Sequence, residues 1–219
     1  MRPELIETML VTSGRRIPLL HRHLTRLRTS AQALQYPCEP EAIEADVRAA
    51  ASMALAPGPH RLRLLLNSAG DRTVQASPLP ELGSAQAVML SSDPLDPAEP
   101  LLRHKTTHRP WYEASTAWLA RHPDVFDVLY LNTRGELCEG TRSNVYLKLG
   151  GQWFTPAAGS GCLPGVQRAE LLDQGTVQER TLTAAMLRQA EAIRVSNALR
   201  GWFDVTLLDT VTQPETAST

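Results

Sequence analysis

"SDPLDPAEPLLRHKTTHRPWYEAS" (residues 92–115) divides this chain in two. Its first half carries Pro94, Pro97 and Pro100 and no sustained period. Each proline removes a backbone donor and restricts the residue before it, so the stretch reads as a connector. Its second half holds Lys105, one of only two lysines among 22 basic residues, and then Pro110, well placed in the first turn of a helix. An arginine stays charged at any ordinary pH, whereas a lysine can be tuned to lose its proton and act as a nucleophile. The division expected is an N-terminal α/β lobe at 1–93, a connector at 94–104 and a C-terminal lobe at 105–219.

Upstream, "LIETMLV" (5–11) mixes apolar and polar residues like a strand, and "TSGRR" reads as its turn. Leu20, Leu24, Leu27, Ala31 and Leu34 recur at helical spacing, and residues 39–55 read as a second helix ended by "APGP". "RLRLLLNSAG" (61–70) alternates and then turns at Gly70, with "RTVQASP" and "AVMLSS" as further strands. Downstream, "PWYEASTAWLARH" (110–122) is expected to be helical. Hairpin strands follow over 127–156, with turns at Arg134-Gly135 and Gly150-Gly151. "LPGVQRAELL" and "TLTAAMLRQA" read as helices, "AIRVSN" and "FDVTLL" as closing strands, and the polar tail 209–219 as frayed. Two α/β lobes place a cleft between them, where small ligands usually bind.

Composition narrows the function classes. A net charge of −1 gives no footprint for nucleic acid or an anionic membrane. No apolar run approaches a membrane span, and "MRPELIETML" lacks the apolar core of a signal peptide. Cys38, Cys138 and Cys162 are odd in number and widely spaced, which argues against a disulfide framework or a metal site and for a reducing cytoplasm.

Four features bear chemistry. Lys105 follows Arg103 and His104, and neighbouring positive charge with burial favours a neutral amine. Glu139, in "ELCEGTRSNVYL" (136–147), sits where a carboxylate could hold a protonated ring nitrogen. Arg26, on the polar edge of the first helix, offers a planar fork suited to phosphate. In "CLPGVQRAELL" (162–172) a glycine at a helix start lets backbone N–H groups approach an anion. Taken singly, each has a plainer reading: a surface lysine, a turn carboxylate, a solvated helix face, an ordinary helix start.

Together they resemble one family. "HKTTHRPWY", "CEGTRSN", "LPGVQR" and "SNALRG" (196–201) occur in the order and spacing of the class IV, fold-type IV pyridoxal-phosphate enzymes, and the likeness runs from "LIETM" and "HLTRL" to "SNALRGW". The group includes branched-chain and D-amino-acid aminotransferases and aminodeoxychorismate lyases. The resemblance implies an α/β (α+β) two-lobed fold, with a small N-terminal α/β sandwich lobe and a larger C-terminal β-rich pseudo-barrel lobe. It implies that Lys105 carries pyridoxal 5'-phosphate and moves protons at the substrate. Glu139 then pairs with the pyridine nitrogen, Arg26 holds the phosphate, and Gly165, Val166 and Gln167 complete the phosphate cup. Asn197 and Ala198 fall in a second phosphate-side loop, Asn144 braces the loop after Glu139, and His108 and Arg109 meet the lysine or a substrate carboxylate.

The same resemblance implies a homodimer that acts on a small molecule. "HKTT", "R" and "Y" with "SNALRG" read like the lyase branch, which makes 4-aminobenzoate and pyruvate from 4-amino-4-deoxychorismate for folate. An aminotransferase for branched-chain or D-amino acids is the alternative, and a non-catalytic member that keeps only the fold is a third reading. Relatives carry a further strand and a glycine-rich loop before the segment matching "LIETM", so divergence is expected in substrate rather than in cofactor.

Overall fold

The computed structural model describes residues 2–54, 56–83 and 86–208. The polar tail expected to fray lies outside them.

The first lobe is a three-stranded antiparallel sheet, β1 (Leu5–Val11), β2 (His60–Leu66) and β3 (Arg72–Pro78), in the order β1-β2-β3. Helices α1 (Leu20–Leu34) and α2 (Pro40–Ser52) cover one face. Strand parity explains the packing, because successive side chains point to opposite faces. Leu62, Leu64 and Leu66 join Leu5, Met9 and Val11 against Leu27, Ala31, Ile43 and Val47 of the helices. The alternate positions Arg61 and Arg63 are exposed on the other face, in register with Leu10 and Thr8 of β1. α1 stops where Gln35 takes a left-handed φ of 56° and its N–H returns to the carbonyls of Ala31 and Gln32.

The second lobe is a curled eight-stranded sheet. It comprises β4 (Ala87–Leu90), β5 (Val125–Leu131), β6 (Leu137–Gly140), β7 (Asn144–Leu149), β8 (Gln152–Pro156), β9 (Gln178–Arg180), β10 (Ala192–Asn197) and β11 (Gly201–Leu207). The order is β6-β5-β4-β11-β10-β7-β8-β9. Helices α3 (Glu113–Leu119), α4 (Val166–Asp173) and α5 (Ala184–Gln189) pack around it. Its strands read apolar on successive positions, as in "VFDVLYL", because both faces are covered by core clusters.

The lobe boundary differs from the sequence expectation. β4 falls within 1–93, yet it pairs in parallel with β5 and β11 of the large sheet. The connector is also no free linker. Leu95 bridges to Asn132, and Leu95 and Leu102 are buried in the large lobe's core.

The segment that bears Lys105 is fastened to the other lobe. The Ile6 N–H donates to the Lys105 carbonyl at 2.8 Å, the Thr107 N–H to the Glu4 carbonyl at 2.9 Å, and Leu5 bridges antiparallel to Thr106. These residues thus extend the edge of β1 and direct the lysine into the space between the lobes.

Candidate active site

A cavity of about 280 Å³ lies between the lobes, lined among others by Lys105, Glu139, Arg26, Gly165 and Asn197. Lys105 is half-buried. Burial, with the charges of Arg109 and Arg26, pulls its amine from 10.5 down to about 7, against the opposing carboxylates of Glu7 and Glu139. The amine is therefore substantially neutral at ordinary pH, as a nucleophile or proton acceptor requires.

Glu139 lies in β6, one residue before its end, and is buried. Tyr112 Oη donates to its Oε1 at 2.8 Å and the Leu163 N–H to its Oε2 at 3.1 Å. Burial pushes its carboxyl up to about 7, with Arg109 and these two donors pulling the other way. A protonated nitrogen placed against it would favour the charged form.

Arg26 is not a solvated residue. Its guanidinium donates to both carboxylate oxygens of Glu7, at 2.9 and 2.7 Å, and to the Pro164 carbonyl at 3.2 Å. His23 Nδ1 lies 2.6 Å from the same carboxylate. Burial opposes the Glu7 charge, but Arg26 and His23 outweigh it and hold the carboxyl near about 2. A fixed ion pair thus presents Arg26 beside the start of α4.

That helix start is built for close approach. Asn144 Nδ2 donates to the Leu163 carbonyl at 3.0 Å, tying β7 to the loop before α4. A Cβ added to Gly165 would overlap Asn144 Oδ1, so glycine is required by space rather than by its φ of −66°. Val166 and Gln167 follow in the first turn and line the cavity, where backbone N–H groups lack upstream carbonyl partners. Asn197 accepts the N–H groups of Leu199 and Arg200 at 3.1 and 3.0 Å, which folds the loop that brings Ala198 to the lining.

Arg109 also reaches the cavity. It donates to the Thr141 carbonyl at 2.8 Å, with its guanidinium 4.5 Å from the Tyr112 ring centre. His108 does not. It is exposed, packs edge-on to Trp111, and stands outside the lining.

Several contributors escape sequence reading. Asp127 of β5 is buried and accepts from Thr141 Oγ1, Ser143 Oγ and the Arg142 N–H, holding the loop 140–144 that follows Glu139. Tyr112 and Leu163 reach Glu139 from distant segments. Glu7 carried a usable signal: it shares the inward parity of Leu5, Met9 and Val11, opposite a helix with His23 and Arg26 on neighbouring turns.

The groups present fit pyridoxal phosphate. A cation and a helix start suit a phosphate, a buried carboxylate suits a ring nitrogen, and a depressed amine suits an aldehyde. Among the described residues no cluster of three or more His, Cys, Asp or Glu side chains is placed to hold a metal ion, and no helix is long and apolar enough to cross a membrane.

A two-lobed α/β fold with a curled sheet, and one lysine facing one buried glutamate across the cleft, define a cofactor-using enzyme. The chain belongs to the class IV aminotransferase family, whose model matches residues 4–208, and the family is pyridoxal-phosphate-dependent. It is 34% identical over 192 residues to a protein of Schizosaccharomyces pombe named "Putative aminodeoxychorismate lyase", covering 83% of this chain and 80% of that one. It is similar to a solved structure described as a "Putative amino-acid aminotransferase" of Mesorhizobium loti, with 38% identity and a TM-score of 0.86 over 94% of this chain and 100% of the other. A "Putative 4-amino-4-deoxychorismate lyase" of Legionella pneumophila superposes with a TM-score of 0.81 at 25% identity, over 95% of this chain and 84% of that one. These matches confirm the expected fold class.

Proposed function

We propose that this protein is a pyridoxal-phosphate-dependent lyase converting 4-amino-4-deoxychorismate to 4-aminobenzoate and pyruvate, a step of folate biosynthesis, and that it works as a cytoplasmic homodimer. One observation carries the cofactor assignment: a half-buried amine with its pKa near about 7 and a buried, doubly hydrogen-bonded glutamate share a cavity with an arginine fixed at a helix start. The lyase branch is supported by the resemblance of "HKTT", "R" and "Y" with "SNALRG" and by the length of the match to the S. pombe relative. Three cysteines without disulfide partners are in keeping with a reducing compartment.

In this reading Arg26 and the first turn of α4 would hold the phosphate, and Glu139 would face the pyridine nitrogen. Tyr112 and the Leu163 N–H keep that carboxylate oriented. When bound, the cofactor supplies an electron sink for the pair left on the substrate as a C–H bond breaks. Lys105, with its pKa near the operating pH, takes that ring proton and can return one. The enolpyruvyl group departs and ends as pyruvate, and the aromatic ring that forms makes the step strongly downhill. Arg109 stays beside the amine, where its charge keeps the lysine basicity low.

Aminotransfer is the second reading, favoured by the M. loti relative. Purified protein given 4-amino-4-deoxychorismate and no keto acid is expected to release pyruvate and 4-aminobenzoate in equal amounts. A strict requirement for a keto-acid acceptor refutes the lyase. Lys105→Ala is expected to abolish turnover with the fold retained, and Glu139→Gln to cut the rate far more than cofactor occupancy. An unchanged rate in Glu139→Gln removes the role given to that carboxylate.

A further inference from the structure

The cleft is crowded with arginines, and most of them are occupied. Arg26 is paired with Glu7, Arg109 donates to the Thr141 carbonyl, Arg142 to the Phe126 carbonyl at 2.8 Å, and Arg200 to the Pro80 carbonyl at 2.6 Å. Arg61 and Arg63 are different. Among the described residues their guanidinium groups make neither a hydrogen bond nor an ion pair, although both line the Lys105 cavity. Their placement follows from the alternation of β2, whose buried leucines face the helices and leave these arginines on the face toward the cleft.

Arg61 has a second neighbourhood. A further cavity of about 400 Å³ opens between the segment 78–83, Phe126 and the 197–200 loop. It shares Arg61, Arg142, Asn197 and Leu199 with the Lys105 cavity, so the two are adjoining compartments of one cleft. Pro78, Leu79, Leu82 and Phe126 line the outer compartment together with Arg61, Arg142 and Arg200, so its wall mixes apolar and cationic groups. Arg61 thus lines both compartments, and its guanidinium makes no hydrogen bond to the described residues.

A guanidinium in that state is suited to a planar, bidentate anion such as a carboxylate, and the neighbouring arginines make the compartment cationic. We infer that Arg61 is a specificity-determining residue: it binds a carboxylate held away from the reacting amine and so selects amino substrates that carry a second carboxylate. The inference rests on the reading of the Lys105 cavity as the place where the substrate amine reacts. Arg26 does not serve this purpose, because it is fixed at the Pro164 carbonyl beside the start of α4, where the phosphate is placed.

The test uses the cofactor-loaded enzyme and two arms. In the first, KM and kcat for 4-amino-4-deoxychorismate are compared in wild type, Arg61→Gln, Arg61→Lys and the control Arg48→Gln, an exposed α2 residue paired with Glu44. Loss of one charge-assisted contact corresponds to a rise in KM of about 30-fold. That rise is expected in Arg61→Gln with kcat changed much less, partial rescue in Arg61→Lys, and no change in the control. In the second arm, calorimetry measures isophthalate, a ring with two carboxylates, against benzoate, which has one. Wild type is expected to prefer isophthalate at least 10-fold, and Arg61→Gln to erase most of that preference with the cofactor absorbance band unmoved.

A preference that persists in Arg61→Gln, or its absence in wild type, overturns the inference. A fall in kcat with KM unchanged does so too, since a purely structural role would produce it. An enzyme that yields no 4-aminobenzoate but loses its isophthalate preference with Arg61 refutes the reaction proposed above and upholds the role of Arg61.

Discussion

Replacing Lys105 by methionine should stabilise the cofactor-free protein while removing its activity. Burial and two neighbouring arginines hold the lysine near about 7, against an ordinary value of 10.5. The folded state therefore binds fewer protons than the unfolded state between those limits, and stability rises with pH across that window. A gap of about 3.5 pH units at about 1.36 kcal/mol each gives a full cost of about 5 kcal/mol below pH 7. At pH 7 itself, half-titration trims this to about 4 kcal/mol, and by pH 9 only about 2 kcal/mol remains. Lys105→Met keeps an unbranched chain and deletes the charge. Urea unfolding of the stripped protein should thus find the variant more stable by about 4 kcal/mol at pH 7 and about 2 kcal/mol at pH 9, converging near pH 10.5. Equal stability at pH 7, or an advantage that ignores pH, would refute the claim that the site holds its amine against a desolvation penalty.

Two further outcomes follow from the geometry. Glu7→Gln removes one partner of a buried ion pair and is expected to destabilise the protein by about 3 kcal/mol at pH 7. Because the Glu7 carboxyl lies near about 2 rather than 4.5, wild type should shed about 3 kcal/mol as the pH falls from 4.5 to 2, a loss the variant lacks; acid unfolding monitored by circular dichroism reads it. Gly165→Ala drives a methyl into Asn144 Oδ1 and should weaken cofactor retention at least 10-fold, measured by equilibrium dialysis; Asn144→Ala in the same chain should restore part of it, and no recovery would place the fault elsewhere.

Local pattern carried most of the elements and little of their partnership. The two leucine-rich faces of α1 and β2 were legible because their periods, 3.6 and 2, differ and are each sustained. Ala87–Leu90 was legible as a strand but not as a member of the large sheet, since both its pairings are parallel and made with residues far along the chain. Gln178–Arg180 went unread because all three residues are exposed and polar at a sheet edge. At the site, glutamate, lysine and helix-start glycine could be picked out because their motifs are contiguous. Tyr112, Leu163 and Asp127 act through contacts spanning 14 to 27 residues that no local pattern encodes. Arg61 and Arg63 were visible as the polar half of an alternation, yet what that half faces is set by the second lobe.

The bonding of residues 105–107 to the first strand gives the molecule a mechanical property. The amine is moored to one sheet and the carboxylate opposite it to another, so whatever bridges the two acts as a rivet. Loading the cleft should clamp the halves together, so that the two sheets come apart less readily when it is filled than when it is empty.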